Sequence, residues 1–142
     1  MLRCRASNHR DLQWEACQNT RDLGGLPTLD GDQTRWGSIV RSDMLNRLTP
    51  AGRSAMLAYG VRTIIDLRGP TEVAEEPSPF APGGEAAAEL DGRLAYRNLP
   101  FEAYDPEVMA KVATAETLGQ IYTLLIDAYP ANVATVMAAI AE

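Results

Sequence analysis

Residues 49–67 constrain the fold more tightly than any other stretch of this chain. Thr49 is suited to cap a helix through its hydroxyl, and Pro50 stands at the first helical position, where a missing N–H costs nothing. Ala55, Met56 and Tyr59 follow at helical spacing, and Gly60 suits the left-handed residue after a helix end. Val61-Arg62-Thr63-Ile64-Ile65-Asp66-Leu67 is short and β-branched, so it predicts a buried strand. A helix that passes through a glycine into a buried strand is the rhythm of an α/β sheet.

The flanking segments extend that pattern. Asp30-Gly31 between the apolar runs Leu26–Leu29 and Trp36–Arg41 predicts a hairpin, because both turn residues tolerate positive φ. Residues 69–92 hold four of the nine prolines plus Gly83, Gly84 and Gly92, which predicts mostly loop with one helical turn at Thr71–Glu76. Leu94–Leu99 reads as a second short strand. Asp105-Pro106-Glu107 opens a helix by the cap-plus-proline logic, residues 115–128 give another, and Pro130 opens a last one over Ala131–Ile140. That helix runs into the final residues without a cap. The tally leaves a parallel sheet short of strands, so the expected fold is α/β, a parallel sheet flanked by helices and incomplete at the C-terminus. Residues 1–18 are polar and weakly patterned and read as an N-terminal extension; residues 19–142 read as part of a single domain.

Composition narrows the function classes. With 46% hydrophobic and 23% charged residues in 142, the chain has the balance of a globular protein. A net charge of −6 argues against a nucleic-acid or anionic-membrane partner, since neither phosphates nor anionic lipids are drawn to such a field. No N-terminal apolar segment of signal-peptide length is present and no stretch approaches bilayer-spanning length, so a soluble cytoplasmic protein is the default expectation. One histidine and two cysteines without ligand spacing predict neither a metal site nor a cofactor.

The chemistry-bearing residues cluster at element edges as Arg/Asp pairs: Arg21-Asp22, Arg41-Ser42-Asp43 and Asp66-Leu67-Arg68. Two of these stand at the C-terminal ends of predicted strands, the edge where open α/β sheets bind ligands. Arginine's planar fork suits a phosphate or a carboxylate. The plainer reading is that these are ion pairs tying loops to the sheet. Cys4 and Arg10 have the Cys-x5-Arg spacing of cysteine-based phosphatases and enclose His9, the chain's histidine. That chemistry needs a thiolate inside a loop of backbone amides, after a strand and opening a helix, and residues 4–10 offer neither strand nor glycine. Cys17 has no base nearby in sequence and reads as a buried structural thiol. The five tyrosines are scattered and read as core edges, and Gly24-Gly25 follows no clear strand, so a phosphate cradle there is weakly supported.

Taken in order, several segments resemble one family. Asn19-Thr20-Arg21-Asp22-Leu23-Gly24-Gly25 is similar to the Asn-Phe-Arg-Asp-Leu-Gly-Gly opening of the bacterial tyrosine/serine phosphatases that include the secreted mycobacterial tyrosine phosphatase. Asp30-Gly31, Arg35-Trp36-Gly37, Arg41-Ser42-Asp43, Leu48-Thr49 and Asp66-Leu67-Arg68 with Glu72 then follow in that family's order. Leu99-Pro100-Phe101 resembles the strand end before its acid-bearing loop.

The resemblance implies hydrolysis of phosphotyrosine, with phosphoserine or phosphoinositide as further substrates, through a phosphocysteine intermediate and without a cofactor. The partners it implies are a phosphorylated protein or a small phosphoester. The family's His-Cys-x-x-Gly-Lys-Asp-Arg-Thr signature is expected just after a helix like Ala131–Ile140, and it is not in this sequence. The expectation is therefore a fragment that lacks the nucleophile and its loop. It carries Arg21, Asp22, Arg41, Asp66 and Arg68 as substrate-pocket edges or loop anchors, and Asp105 or Glu102 as candidate general acid. Asp105 serves equally well as the N-cap before Pro106. The alternative function is a non-catalytic pseudophosphatase or partner-binding module. An uncovered sheet edge also predicts self-association.

Overall fold

The computed structural model describes residues 10–90 and 92–142. Cys4 and His9 lie outside the described residues. The chain forms two compact units, one up to Arg62 and one from Thr63 onward.

In the first unit, β1 (Arg21–Asp22) pairs antiparallel with β2 (Val40–Arg41), with Arg21 opposite Arg41 and Asp22 opposite Val40. Residues 10–12 extend this ladder on the other side: Asp11 bridges Arg21, the Leu12 amide donates to the Thr20 carbonyl at 2.9 Å, and the Asp22 amide to that of Arg10 at 2.9 Å. A 3-10 turn at Leu45–Arg47 leads into α1 (Pro50–Tyr59). As the sequence predicts, the Thr49 hydroxyl accepts from the Gly52 amide at 3.1 Å, and Gly60 ends the helix at φ +112°. Met56 is fully buried, and Trp14 and Leu48 are buried in the same unit. The Trp14 ring meets Tyr59 edge-on, centroids 6.3 Å apart.

The Asp30-Gly31 turn forms, with Gly31 at φ +89°, but its return arm is not Trp36–Arg41. Leu26–Thr28 pairs with residues 32–34 instead, through Thr28 N–H to the Asp32 carbonyl and Thr34 N–H to that of Leu26, both 2.9 Å. A tight turn joins its immediate neighbours, and that frees Trp36 to lie over Gly24 and Gly25. A Cβ on Gly24 would fall 2.6 Å from the Trp36 Cα, and one on Gly25 2.7 Å from the indole, so only glycine admits this approach.

In the second unit, β3 (Thr63–Asp66) pairs in parallel with β4 (Ala95–Asn98), in the register Ile64 opposite Tyr96 and Asp66 opposite Asn98. The helices α2 (Pro70–Glu75), α3 (Glu85–Leu90), α4 (Pro106–Val112), α5 (Leu118–Ala128) and α6 (Pro130–Ala141) accompany them. The architecture is a parallel pair of strands flanked by helices, an α/β arrangement as expected.

Residues 69–92 hold more helix than the loop reading allowed. After Gly84 no proline or glycine occurs until Gly92, and the six residues that follow Gly84, Glu85–Leu90, are good helix formers with no breaker. The Pro79 carbonyl receives the Ala86 amide at 2.9 Å, and Ala86, Leu90 and Phe80 are buried, so packing holds α3 in place. A Thr117–Gln120 capping box starts α5: the Thr117 hydroxyl accepts from the Gln120 amide, and the Gln120 side chain from the Thr117 amide, both at 3.2 Å. Among the described residues, no single helix is long and apolar enough to cross a membrane.

Candidate functional site

Each unit organises its Arg/Asp motif around one carboxylate. In the first unit Asp22 is wholly buried. Its Oδ1 accepts the Gly24 amide at 2.7 Å, its Oδ2 accepts the Gly37 amide at 2.7 Å, and the Tyr59 hydroxyl also donates to Oδ2. Arg10 Nε donates to the Asp22 carbonyl at 3.2 Å. Two sequence motifs thus meet on one side chain, since Asp22-Leu23-Gly24-Gly25 and Arg35-Trp36-Gly37 both supply amides to it. Gly37, at φ +71°, turns its N–H inward in a conformation that glycine adopts without strain. Burial, followed by the Asp22 carboxylate, pushes the Tyr59 phenol up to about 12, so Tyr59 stays a neutral donor.

On the other face of the same ladder, Arg21 and Arg41 are directly opposed and exposed. Arg21 Nε donates to Asp11 at 2.8 Å, and Arg41 Nη2 donates to the Asn19 side-chain oxygen at 2.8 Å.

In the second unit Asp66 and Arg68 grip each other across a single intervening residue. Arg68 Nε reaches both oxygens of Asp66 at 3.0 and 3.1 Å, and Nη2 donates to Oδ2 at 2.7 Å. Their side chains are only 11% and 12% exposed. The Tyr96 hydroxyl donates to the same carboxylate at 2.7 Å, and Arg68 Nη1 to the Glu76 carbonyl at 2.8 Å. Asn98 ties the strand ends together, its amide donating to the carbonyls of Asp66 and Arg68 at 3.0 Å each. Burial would raise the Asp66 pKa, but the bonds from Arg68 and Tyr96 outweigh it and hold the carboxyl below its ordinary value. Tyr96 moves the opposite way, raised first by burial and then by its bond to Asp66. This cluster stands at the C-terminal end of both parallel strands, the edge that binds ligands in open α/β sheets.

The candidate acids lie in the following segment. Asp105 is the N-cap of α4: its exposed carboxylate accepts the Glu107 amide at 2.8 Å and the Val108 amide at 3.3 Å. Glu102 is half-buried. The Tyr129 hydroxyl donates to the Ala103 carbonyl. Desolvation, then the charges of Asp105 and Glu102, raise the Tyr129 phenol.

Cys17 is half-buried rather than buried, because its thiol has found a polar partner. The Sγ donates to Asp43 at 2.9 Å and accepts from the Thr20 hydroxyl at 3.1 Å. Burial and the Asp43 carboxylate push the thiol up to about 11, so it is not a thiolate at neutral pH. Sequence reasoning also missed the tyrosines as donors. Spacing carried no signal for Tyr59; for Tyr96, the alternation of β4 places it on the face of Asn98, beside Asp66.

A profile of the tyrosine phosphatase family matches residues 12–142, nearly the whole chain and both carboxylate clusters. The chain belongs to the tyrosine phosphatase family. Among curated relatives, it is similar to a Cupriavidus necator protein named as a candidate tyrosine-protein phosphatase, 31% identical over 87 residues. That alignment takes in 60% of this chain and 32% of the relative, so the chain spans about a third of the length of the family member it matches.

Proposed function

We propose that these residues are the supporting scaffold of a phosphomonoester hydrolase that acts on phosphotyrosine, with phosphoserine or phosphoinositide as further substrates. The nucleophilic cysteine and its loop of amides would belong to sequence beyond these 142 residues. Family membership over residues 12–142 carries this reading. The locked Asp66–Arg68 pair at the parallel strand ends supports it, since it holds still the edge where a phosphate loop would sit. In that scheme Asp105 or Glu102 gives a proton to the leaving oxygen. The second reading is a non-catalytic partner-binding module; under either reading the Cys17 thiol, raised to about 11 and tied to Asp43, is not the nucleophile.

Hydrolysis of an aryl phosphate separates the two. The isolated chain is expected to give no turnover above buffer, whereas the complete reading frame should give turnover that a cysteine-to-serine change in its signature loop abolishes. Activity of the isolated chain that vanishes in Cys4→Ser would overturn the scheme, and an inactive complete frame would favour the module. Within an active protein, Asp105→Asn keeps a good N-cap but cannot give up a proton. A loss of about 10²-fold or more in kcat with an unchanged melt would assign the acid to Asp105; full activity would pass the role to Glu102.

A further inference from the structure

Arg21 and Arg41 are cross-strand partners, so their side chains leave the same face of the β1–β2 ladder from Cβ atoms about 5 Å apart. The opposite face carries fully buried Asp22 and half-buried Val40, so the arginine face is the solvent side. Like charges in direct opposition destabilise a sheet, and the ion pair with Asp11 eases the conflict on the Arg21 side alone. Asp11 engages Arg21 through Nε alone, on one edge of the fork, and Arg41 meets the neutral Asn19 oxygen and no carboxylate among the described residues. Asn19 itself is held at φ +55°, an uncommon conformation for a residue with a side chain, and from there it orients the Arg41 guanidinium.

Arg68 shows what a structural arginine looks like in this protein. It spends Nε and Nη2 on one carboxylate and Nη1 on a carbonyl, and its side chain is 12% exposed. The side chain of Arg21 is 47% exposed, and the Nη edge of its fork carries no bond among the described residues.

We propose that Arg21 and Arg41 form an anion-binding site for a phosphate monoester, with one tetrahedral dianion bridging the two guanidinium forks and relieving their repulsion. Planar forks with outward N–H groups suit this geometry, and charge-assisted bonds of this kind are the strong ones. The choice of a phosphate monoester rests on the phosphatase reading; the site itself needs no nucleophile and no turnover.

The test is calorimetric titration of the 142-residue chain with inorganic phosphate, in chloride buffer of matched ionic strength. Saturable one-site binding is expected, weakened at least tenfold in both Arg21→Gln and Arg41→Gln. Arg62→Gln removes the same charge from an exposed arginine that contacts the carbonyls of Leu57 and Val61, and it should bind as the parent does. In phosphate-free buffer the Arg41→Gln melting midpoint should be unchanged or raised, because a repulsion is gone. No binding by the parent, equal weakening by Arg62→Gln, or a folded Arg41→Gln that binds phosphate undiminished would overturn the site. Because no turnover is measured, a negative result here leaves the phosphatase reading standing, and an inactive complete protein leaves this site standing.

Discussion

Asp22 and Asp66 each stand beside an arginine in the sequence, and the two units use them in opposite ways. Asp22 ignores Arg21 and is satisfied by two glycine amides and a phenol, with no cation bonded to its carboxylate among the described residues. Asp66 takes Arg68 side-on, with one phenol in support. Alternation explains the split. Arg21 and Asp22 are adjacent on a strand and point to opposite faces, whereas Asp66 and Arg68 are two apart at a strand end and fall on the same side. An Arg-Asp dipeptide within a strand is therefore poor material for an ion pair, and an Asp-x-Arg tripeptide is good material for one. The Asp22 arrangement joins loops distant in sequence, and the Asp66 arrangement stiffens one strand end.

The largest expected effect tests the neutral cradle. Asp22→Ala orphans two amides and a phenol in a buried setting, and at about 1–3 kcal/mol for each stranded donor the loss should reach roughly 3–6 kcal/mol in urea unfolding. A loss below about 1 kcal/mol would mean that water or rearranged loops replace the carboxylate, and the contrast with Asp66 would collapse.

Arg68→Ala should cost about 3 kcal/mol, because it strands a carboxylate that is mostly out of solvent. Here the two sites should part company. Removing the stranded charge as well, in Arg68→Ala with Asp66→Asn, should recover a large share of that loss. For Asp22 no second side-chain change offers such recovery, since two of its three donors are backbone amides. An Arg68→Ala protein with an unchanged melting midpoint would instead show that the Asp66–Arg68 clamp adds nothing to stability.

The smallest effects are in the pH profile. The folded Asp66 pKa lies below its ordinary 3.8, so its stabilisation is complete above that value and is lost as pH falls through the lower, folded pKa. Tyr59 acts at the other limb. Its folded pKa of about 12 exceeds the ordinary 10, so its contribution is complete below pH 10 and fades as pH rises toward 12. Urea unfolding across pH should show Arg68→Ala flattening the acid limb alone and Tyr59→Phe flattening the alkaline limb while costing about 1 kcal/mol at neutral pH. Identical changes at both limbs would show that the two clusters are not independent.

Local physics made much of this molecule legible beforehand. Thr49-Pro50, Asp105-Pro106 and Gly60 announce helix ends through groups that satisfy or avoid orphaned backbone donors, and all three sit where those rules place them. The β-branched run 63–66 is a strand for a local reason too, whereas its partner 95–98, Ala-Tyr-Arg-Asn, has no β-branched residue and is held by parallel pairing to β3. The segment 69–92 was harder, because prolines and glycines concentrated at its start obscured the breaker-free Glu85–Leu90 behind them. Site residues could be found by type and order but not by partner. The order Asp66-Leu67-Arg68 presented the pair, yet nothing in the string distinguished it from a pairing of Arg68 with Asp22.

What the sequence determined alone was therefore the helix ends, the two parallel strands, the tight turn at Asp30-Gly31, and a family order of motifs spread over residues 19–101. These depend on interactions that reach no more than a few residues, or on the order of short motifs along the chain. Only the tertiary structure decided that Asp22 is buried under Gly24, Gly37 and Tyr59, that Trp36 lies on a glycine pair, that Tyr96 completes the Asp66–Arg68 cluster, and that Arg21 faces Arg41. All but the local Gly24 bond join residues well separated along the chain, up to 37 apart for Tyr59 and Asp22. The physical reason is register. A buried carboxylate accepts whichever donors the folded backbone brings within about 3 Å, and a strand's alternation decides which of two neighbouring charges is buried and which is left facing water.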